Sequence, residues 1–154
     1  MKIIDAHAHT NFNNQKAVSF AQQNNIDFSW NGLQKEIKEN EIVGILAITT
    51  DLSAPTPGES NMLSQQAAKD SKIFPVCSIH PGFVTKKHIL ATEKLLQEKK
   101  IYGIKVFPGY NPVYPSDKRY FPFYKLAGKY DIPVIIHTGD TFGSEYLEPI
   151  PIDQ

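Results

Sequence analysis

Apolar residues in this chain fall into five short blocks separated by stretches of helical spacing. The first is Ile3-Ile4, running into Asp5-Ala6-His7-Ala8-His9-Thr10. A strand here sends alternate side chains to opposite faces, so Asp5, His7 and His9 are expected on one side. Residues 41–50 contain Ile42-Val43-Gly44-Ile45-Leu46-Ala47-Ile48, apolar on both faces, as a parallel strand covered on each side should be. A third strand is predicted over 73–79, ending in His80-Pro81-Gly82, a fourth over 102–107, and a fifth over 134–137.

Helices are predicted between the strands. Trp30, Leu33 and Ile37 recur with helical period among lysines and glutamates over 29–40, and Ser29 or Asn31 can cap that helix. Another is expected from Ser60 or Asn61 to Asp70, a third over 85–100, and a fourth over 120–129 with Pro122 in its first turn. Residues 11–25 are polar and asparagine-rich and read as a long loop with one helical turn. Pro55, Pro57 and Gly58 mark a loop, as does the Pro- and Tyr-rich stretch 108–119, and residues 141–154 show little periodicity.

Strands alternating with helices predict an α/β fold of parallel strands joined by right-handed crossovers. In such arrays functional groups sit at the C-terminal strand ends, whether the sheet is open or closed as a barrel. His7, His9, His80 and His137 all occupy such ends, which gathers scattered histidines into one candidate site. Within the fourth strand Lys105 alternates with Ile104 and Val106, so it points away from the face that helices cover.

Composition narrows the field. The 154 residues suit a single domain, 1–154, and carry 16 basic and 16 acidic side chains with a pI near 7.0. No overall field draws the chain to nucleic acid or to a membrane surface. With no apolar run of membrane-spanning length and no leader pattern, a cytoplasmic protein is expected. The single cysteine, Cys77, lies in an apolar strand and reads as a buried structural thiol.

Neutral imidazole is a preferred ligand of zinc and similar divalent ions, and His7 with His9 can supply two of the three or four protein ligands such an ion takes. Asp5 can bind the ion or orient a ligand. His80 shares a face with Ser78 and Val76 and reads either as a substrate contact or proton shuttle, or as a loop anchor beside Pro81. Lys105 reads as a metal bridge or anion-binding group, or as the partner of a carboxylate such as Asp5. Tyr110, Tyr114 and Tyr120 either line a substrate pocket or pack their loop. Asp140 reads as a helix cap.

These residues resemble the amidohydrolase superfamily of metal-dependent hydrolases, most closely its amidohydrolase-related branch. Ile3-Ile4-Asp5-Ala6-His7-Ala8-His9 is similar to the first-strand His-X-His, Gly103-Ile104-Lys105 to the fourth strand, and Pro133-Val134-Ile135-Ile136-His137-Thr138-Gly139 to the fifth. The resemblance implies a TIM-like (β/α)8 barrel with one or two divalent metals, zinc first among them, held by His7, His9 and His137. Lys105 matches the lysine that is carboxylated and bridges two ions in two-metal relatives. A metal-bound water would attack an amide, ester or lactone of a small-molecule substrate, or the site would support decarboxylation.

Such a barrel takes about 250 residues, so this chain is expected to hold five of eight units, an incomplete barrel forming the N-terminal portion of a larger enzyme. The histidine of the sixth strand and the aspartate of the eighth are missing, so catalysis by this polypeptide alone is not expected. Open sheet edges suggest a homo-oligomer. Two further readings stand beside this one. A phosphoesterase of the polymerase-and-histidinol-phosphatase type shares the opening His-X-His-Thr, but Asn11-Phe12-Asn13 departs from its pattern. The other is a non-catalytic half-barrel with a binding or scaffolding role.

Overall fold

The computed structural model describes residues 2–10, 12, 14–48 and 70–138. The helix expected from Ser60 or Asn61, Asp140 and the segment after it lie outside the described residues. Five strands, β1 (Ile3–His9), β2 (Ile42–Ile48), β3 (Ile73–Ile79), β4 (Gly103–Val106) and β5 (Val134–Ile136), form one sheet. Their order is β1-β2-β3-β4-β5 and every pairing is parallel. Sequential neighbours in a parallel sheet, with described helices following β1, β3 and β4, are the arrangement of a partial TIM-type barrel, curled into a half-barrel.

The described helices are α1 (Gln15–Gln23), α2 (Trp30–Glu39), α3 (Lys86–Gln97) and α4 (Phe121–Tyr130). Ser29 Oγ accepts from the Gly32 amide at 3.0 Å and Thr85 Oγ1 from the His88 amide at 3.3 Å, so α2 and α3 begin on side-chain caps. Helix α1 corrects the expectation of a loop over 11–25. Asn14 Oδ1 accepts from the Ala17 amide at 3.0 Å, and Asn24 closes the other end with its backbone amide and with Nδ2 on the Phe20 carbonyl at 2.8 Å. The asparagines that read as loop residues are the two caps, and Gln, Lys and Ala between them are good helix formers.

The two faces of the sheet bury different things. Toward the helices, Cys77, Ile79, Ile104 and Val106 pack with Leu95 and Leu96 of α3 and Phe123 and Leu126 of α4. Ile45, Ala47 and Ile73 pack likewise with Ile37 of α2, while Ala8 of β1 joins from the edge. Cys77 is fully buried in this layer, the structural thiol expected. The opposite face buries Ile48, Val76 and Phe107, with Leu46, Tyr110 and Ile135 against them. Register puts Ser78 beside Lys105 and Lys105 beside Ile135, so the lysine points into this inner, concave side.

Strands β1 and β5 are the edges. Ile3, Ile4 and Ile136 are exposed there, Ile4 to 68%, although an apolar strand normally hides such side chains. Among the described residues no helix is long and apolar enough to cross a membrane.

Candidate active site

His7 and His9 reach the C-terminal end of β1 through an irregular strand. Asp5 pairs with Ile45 but Ala8 with Ala47, so β1 holds one more residue than β2 over this interval. Such a bulge breaks strict alternation. The expected stacking of Asp5 with both histidines is accordingly modified: Asp5 Oδ1 accepts from the His7 backbone amide at 2.9 Å and braces the bulge. Beyond it the two imidazoles come together, with Nε2 atoms 3.2 Å apart and ring centroids 5.0 Å apart.

Two imidazolium ions cannot share that spacing. Burial pushes the His9 ring down to about 4, with further lowering from His7, Lys105 and His137. His7 is lowered too, first by burial and next by Lys105, with Asp5 acting in the opposite sense. Both rings are therefore neutral at physiological pH, the form that binds metal. The spacing also fits: two nitrogens each about 2.1 Å from one tetrahedral ion stand about 3.4 Å apart.

His137 follows β5, and its backbone amide donates to the Val106 carbonyl at 3.0 Å. Its ring lies 4.8 Å from that of Tyr110 and 6.2 Å from that of Phe107. Phe107 and Tyr110 belong to the concave layer, so the His137 ring lies on that side, and its charge acts on both His7 and His9. Among the described residues, however, no three His, Cys, Asp or Glu side chains are gathered closely enough to hold a metal. The structure presents a close pair of imidazoles, with His137 near enough for its charge to act on both.

Lys105 is fully buried, and its Nζ has no hydrogen-bond partner among the described residues. The pairing with a carboxylate such as Asp5 does not occur there; Nζ instead lies 5.0 Å from the centre of the Phe107 ring. Burial pushes its ammonium down to about 8. A buried cation on the inner face, between Ser78 and Ile135 and without a carboxylate among the described residues, is costly to keep, and such groups concentrate where charge is used.

The remaining candidates separate from this cluster. His80 caps a 3-10 turn, Pro81–Phe83: Nδ1 accepts from the Gly82 amide at 3.0 Å and the ring packs 4.9 Å from Phe83. Burial and then the Arg119 charge push its ring below the usual imidazole range, and it shares a small cavity with His88, Thr92 and Phe123 on the helix side. Tyr120 is buried in the helix-side core and Tyr114 is exposed, so of the three tyrosines only Tyr110 meets a site histidine among the described contacts. Sequence reading missed Asn111, buried at the base of the Tyr110 turn; the signal was Pro-Gly-X-Asn directly after a strand.

Comparison with known proteins bears on this arrangement. The sequence profile of the family described as amidohydrolase matches residues 4–152. Comparison with curated proteins gives no significant match. Among solved structures, one from Staphylococcus aureus assigned to the amidohydrolases superposes with a TM-score of 0.63 at 12% identity, covering 98% of this chain and 53% of its own. The 5-carboxyvanillate decarboxylase LigW of Sphingomonas paucimobilis gives 0.63 at 10% identity, covering 94% and 54%. LigW2 of Novosphingobium aromaticivorans, with bound manganese and a nitrobenzoic acid, gives 0.62 at 10% identity, covering 97% and 52%. At such identities these likenesses speak to the fold, and the chain spans about half the length of each structure. A sequence match running through nearly every residue, on five consecutive parallel units with a histidine pair at the end of the first, leaves one conclusion: the chain belongs to the amidohydrolase family.

Proposed function

We propose that this chain forms the metal-binding half of a hydrolase or decarboxylase acting on a small molecule. The observation that carries the reading is the His7–His9 pair, neutral and at ligand spacing on the concave side of an amidohydrolase fold. His7 and His9 would hold a divalent ion with His137 as third ligand. Imidazole ligands favour zinc, while one structural neighbour carries manganese. The ion, once bound, supplies Lewis acidity and a water acidified toward neutrality.

The chain's own residues set the rest of the site. Asp5 holds the backbone of His7 through the bulge. Lys105 brings positive charge to the concave face, where it stabilises negative charge on a substrate or on an oxygen that becomes anionic during reaction. That placement suits an acyl substrate, and equally a carboxylate of the kind the two decarboxylase neighbours are named for. Turnover draws on the rest of the barrel, so this chain alone binds metal without completing a cycle. The test is metal content after equilibration with zinc or manganese, paired with assays of ester, lactone and carboxyvanillate turnover on this chain and on a complete barrel. The expected result is one ion per chain, with turnover only in the complete form. Phosphate release from phosphoesters would instead favour the phosphoesterase reading.

The open edges carry a second expectation. Apolar side chains along the outer edges of β1 and β5, open among the described residues, should drive copies of the isolated chain together. Sedimentation velocity should show concentration-dependent self-association that Ile4→Lys reduces. A monodisperse monomer at all concentrations would remove this expectation.

A further inference from the structure

The turn after β4 is built around Asn111. Its backbone amide donates to the Phe107 carbonyl at 2.9 Å, and its Nδ2 donates to the same oxygen at 3.2 Å, so one buried side chain closes the loop onto the strand end. Gly109 sits at φ 92°, in the left-handed region that favours glycine, and its amide donates to the Asn111 carbonyl at 3.1 Å. This short, locked turn sends Tyr110 back over the sheet instead of outward to solvent.

What Tyr110 meets there is His137. Their ring centroids are 4.8 Å apart at 65°, an edge-to-face contact, and Phe107 completes a three-ring cluster at 6.2 Å from each. The backbone of His137 is already tied to β4 through Val106. The cluster therefore restricts what the strand leaves free, the two side-chain torsions that aim the imidazole. Edge-to-face pairs have a preferred geometry, which biases one orientation of a half-buried ring.

We propose that Tyr110 is a positioning residue, whose ring, fixed by the Asn111-locked turn, orients His137 toward the His7–His9 pair. The role rests on the ligand assignment of the preceding subsection. Orienting neighbours of metal-ligating histidines typically contribute about 10–100-fold in metal affinity, here through a ring contact.

Zinc affinity, read by competition with a chromophoric chelator, tests this together with the imidazole NMR signals of His137 in zinc-free protein. Tyr110→Ala should weaken zinc about tenfold and shift the His137 ring resonances, while Tyr110→Phe, which keeps the ring, should retain both. Tyr110→Leu preserves the apolar cover of Phe107 and should resemble Tyr110→Ala, which keeps the test valid if alanine loosens the turn. Wild-type zinc affinity and unmoved His137 signals in Tyr110→Leu would overturn the role, as would Tyr110→Phe behaving like Tyr110→Leu. His137→Ala separates the two levels. If it binds zinc as tightly as the wild type, the ligand assignment itself is wrong and the proposal falls with it; if it weakens zinc while Tyr110→Leu does not, only the role of Tyr110 is lost.

Discussion

Replacing His7 and His9 together by alanine is expected to abolish stoichiometric zinc binding, lowering affinity by more than about 100-fold. The size follows from the geometry. These two nitrogens stand 3.2 Å apart, so removing them leaves His137 alone of the three proposed ligands. Stability should change little, because both histidines are strand-end residues that belong to none of the packed apolar clusters. Isothermal titration with zinc, alongside urea unfolding of the same samples, separates lost binding from lost folding. Unchanged zinc stoichiometry and affinity in the double variant would rule out the pair as ligands.

Lys105→Met is expected to make the protein more stable, by about 1–3 kcal/mol near neutral pH. The methionine keeps most of the apolar stem against Phe107 and fills the space without a charge. The wild-type ammonium, by contrast, is buried without a hydrogen-bond partner among the described residues. Its depression from 10.5 to about 8 corresponds to about 3 kcal/mol of penalty on the charged form.

The sign with pH follows from linkage. The folded state releases the proton at a lower pH than the unfolded chain does, so the penalty is complete below pH 8 and is relieved as pH rises from about 8 toward 10.5. The stability gap between variant and wild type should narrow over that window. Urea midpoints of both proteins between pH 7 and 10 measure it, with other titrating groups cancelling in the difference. A destabilised Lys105→Met variant would show that the ammonium has a partner after all. Loss of turnover in a complete barrel bearing this stabilising change would mark Lys105 as a functional group kept at a cost in stability.

The large elements were legible because they rest on local pattern. Ile42 through Ile48 is apolar on both faces, and a strand buried between helices and a concave inner side needs that. The same alternation rule placed Lys105 opposite Ile104 and Val106, where it lies. Reading went astray where polar residues serve the backbone. Asn14 and Asn24 look like loop residues because caps and turns use the same short side chains, yet they bracket α1. Asp5 looked like a third member of a polar face, but an extra residue in β1 diverts its carboxylate to the His7 amide. For His80, by contrast, one of the two readings made from the sequence matches the geometry: beside Pro81, which holds it extended, its imidazole anchors the turn.

By itself the sequence determined the parallel βα order, the strand ends at which histidines sit and the pairing of His7 with His9, since each depends on periodicities of two or 3.6 residues along a continuous segment. Only the tertiary structure decided that Lys105 is buried without a carboxylate partner among the described residues, that His137 meets Tyr110 and Phe107, and which of its two readings His80 follows. Those are relations between segments far apart in the chain. They depend on the curl of the sheet and on which groups happen to face one another across it, and no local pattern encodes either.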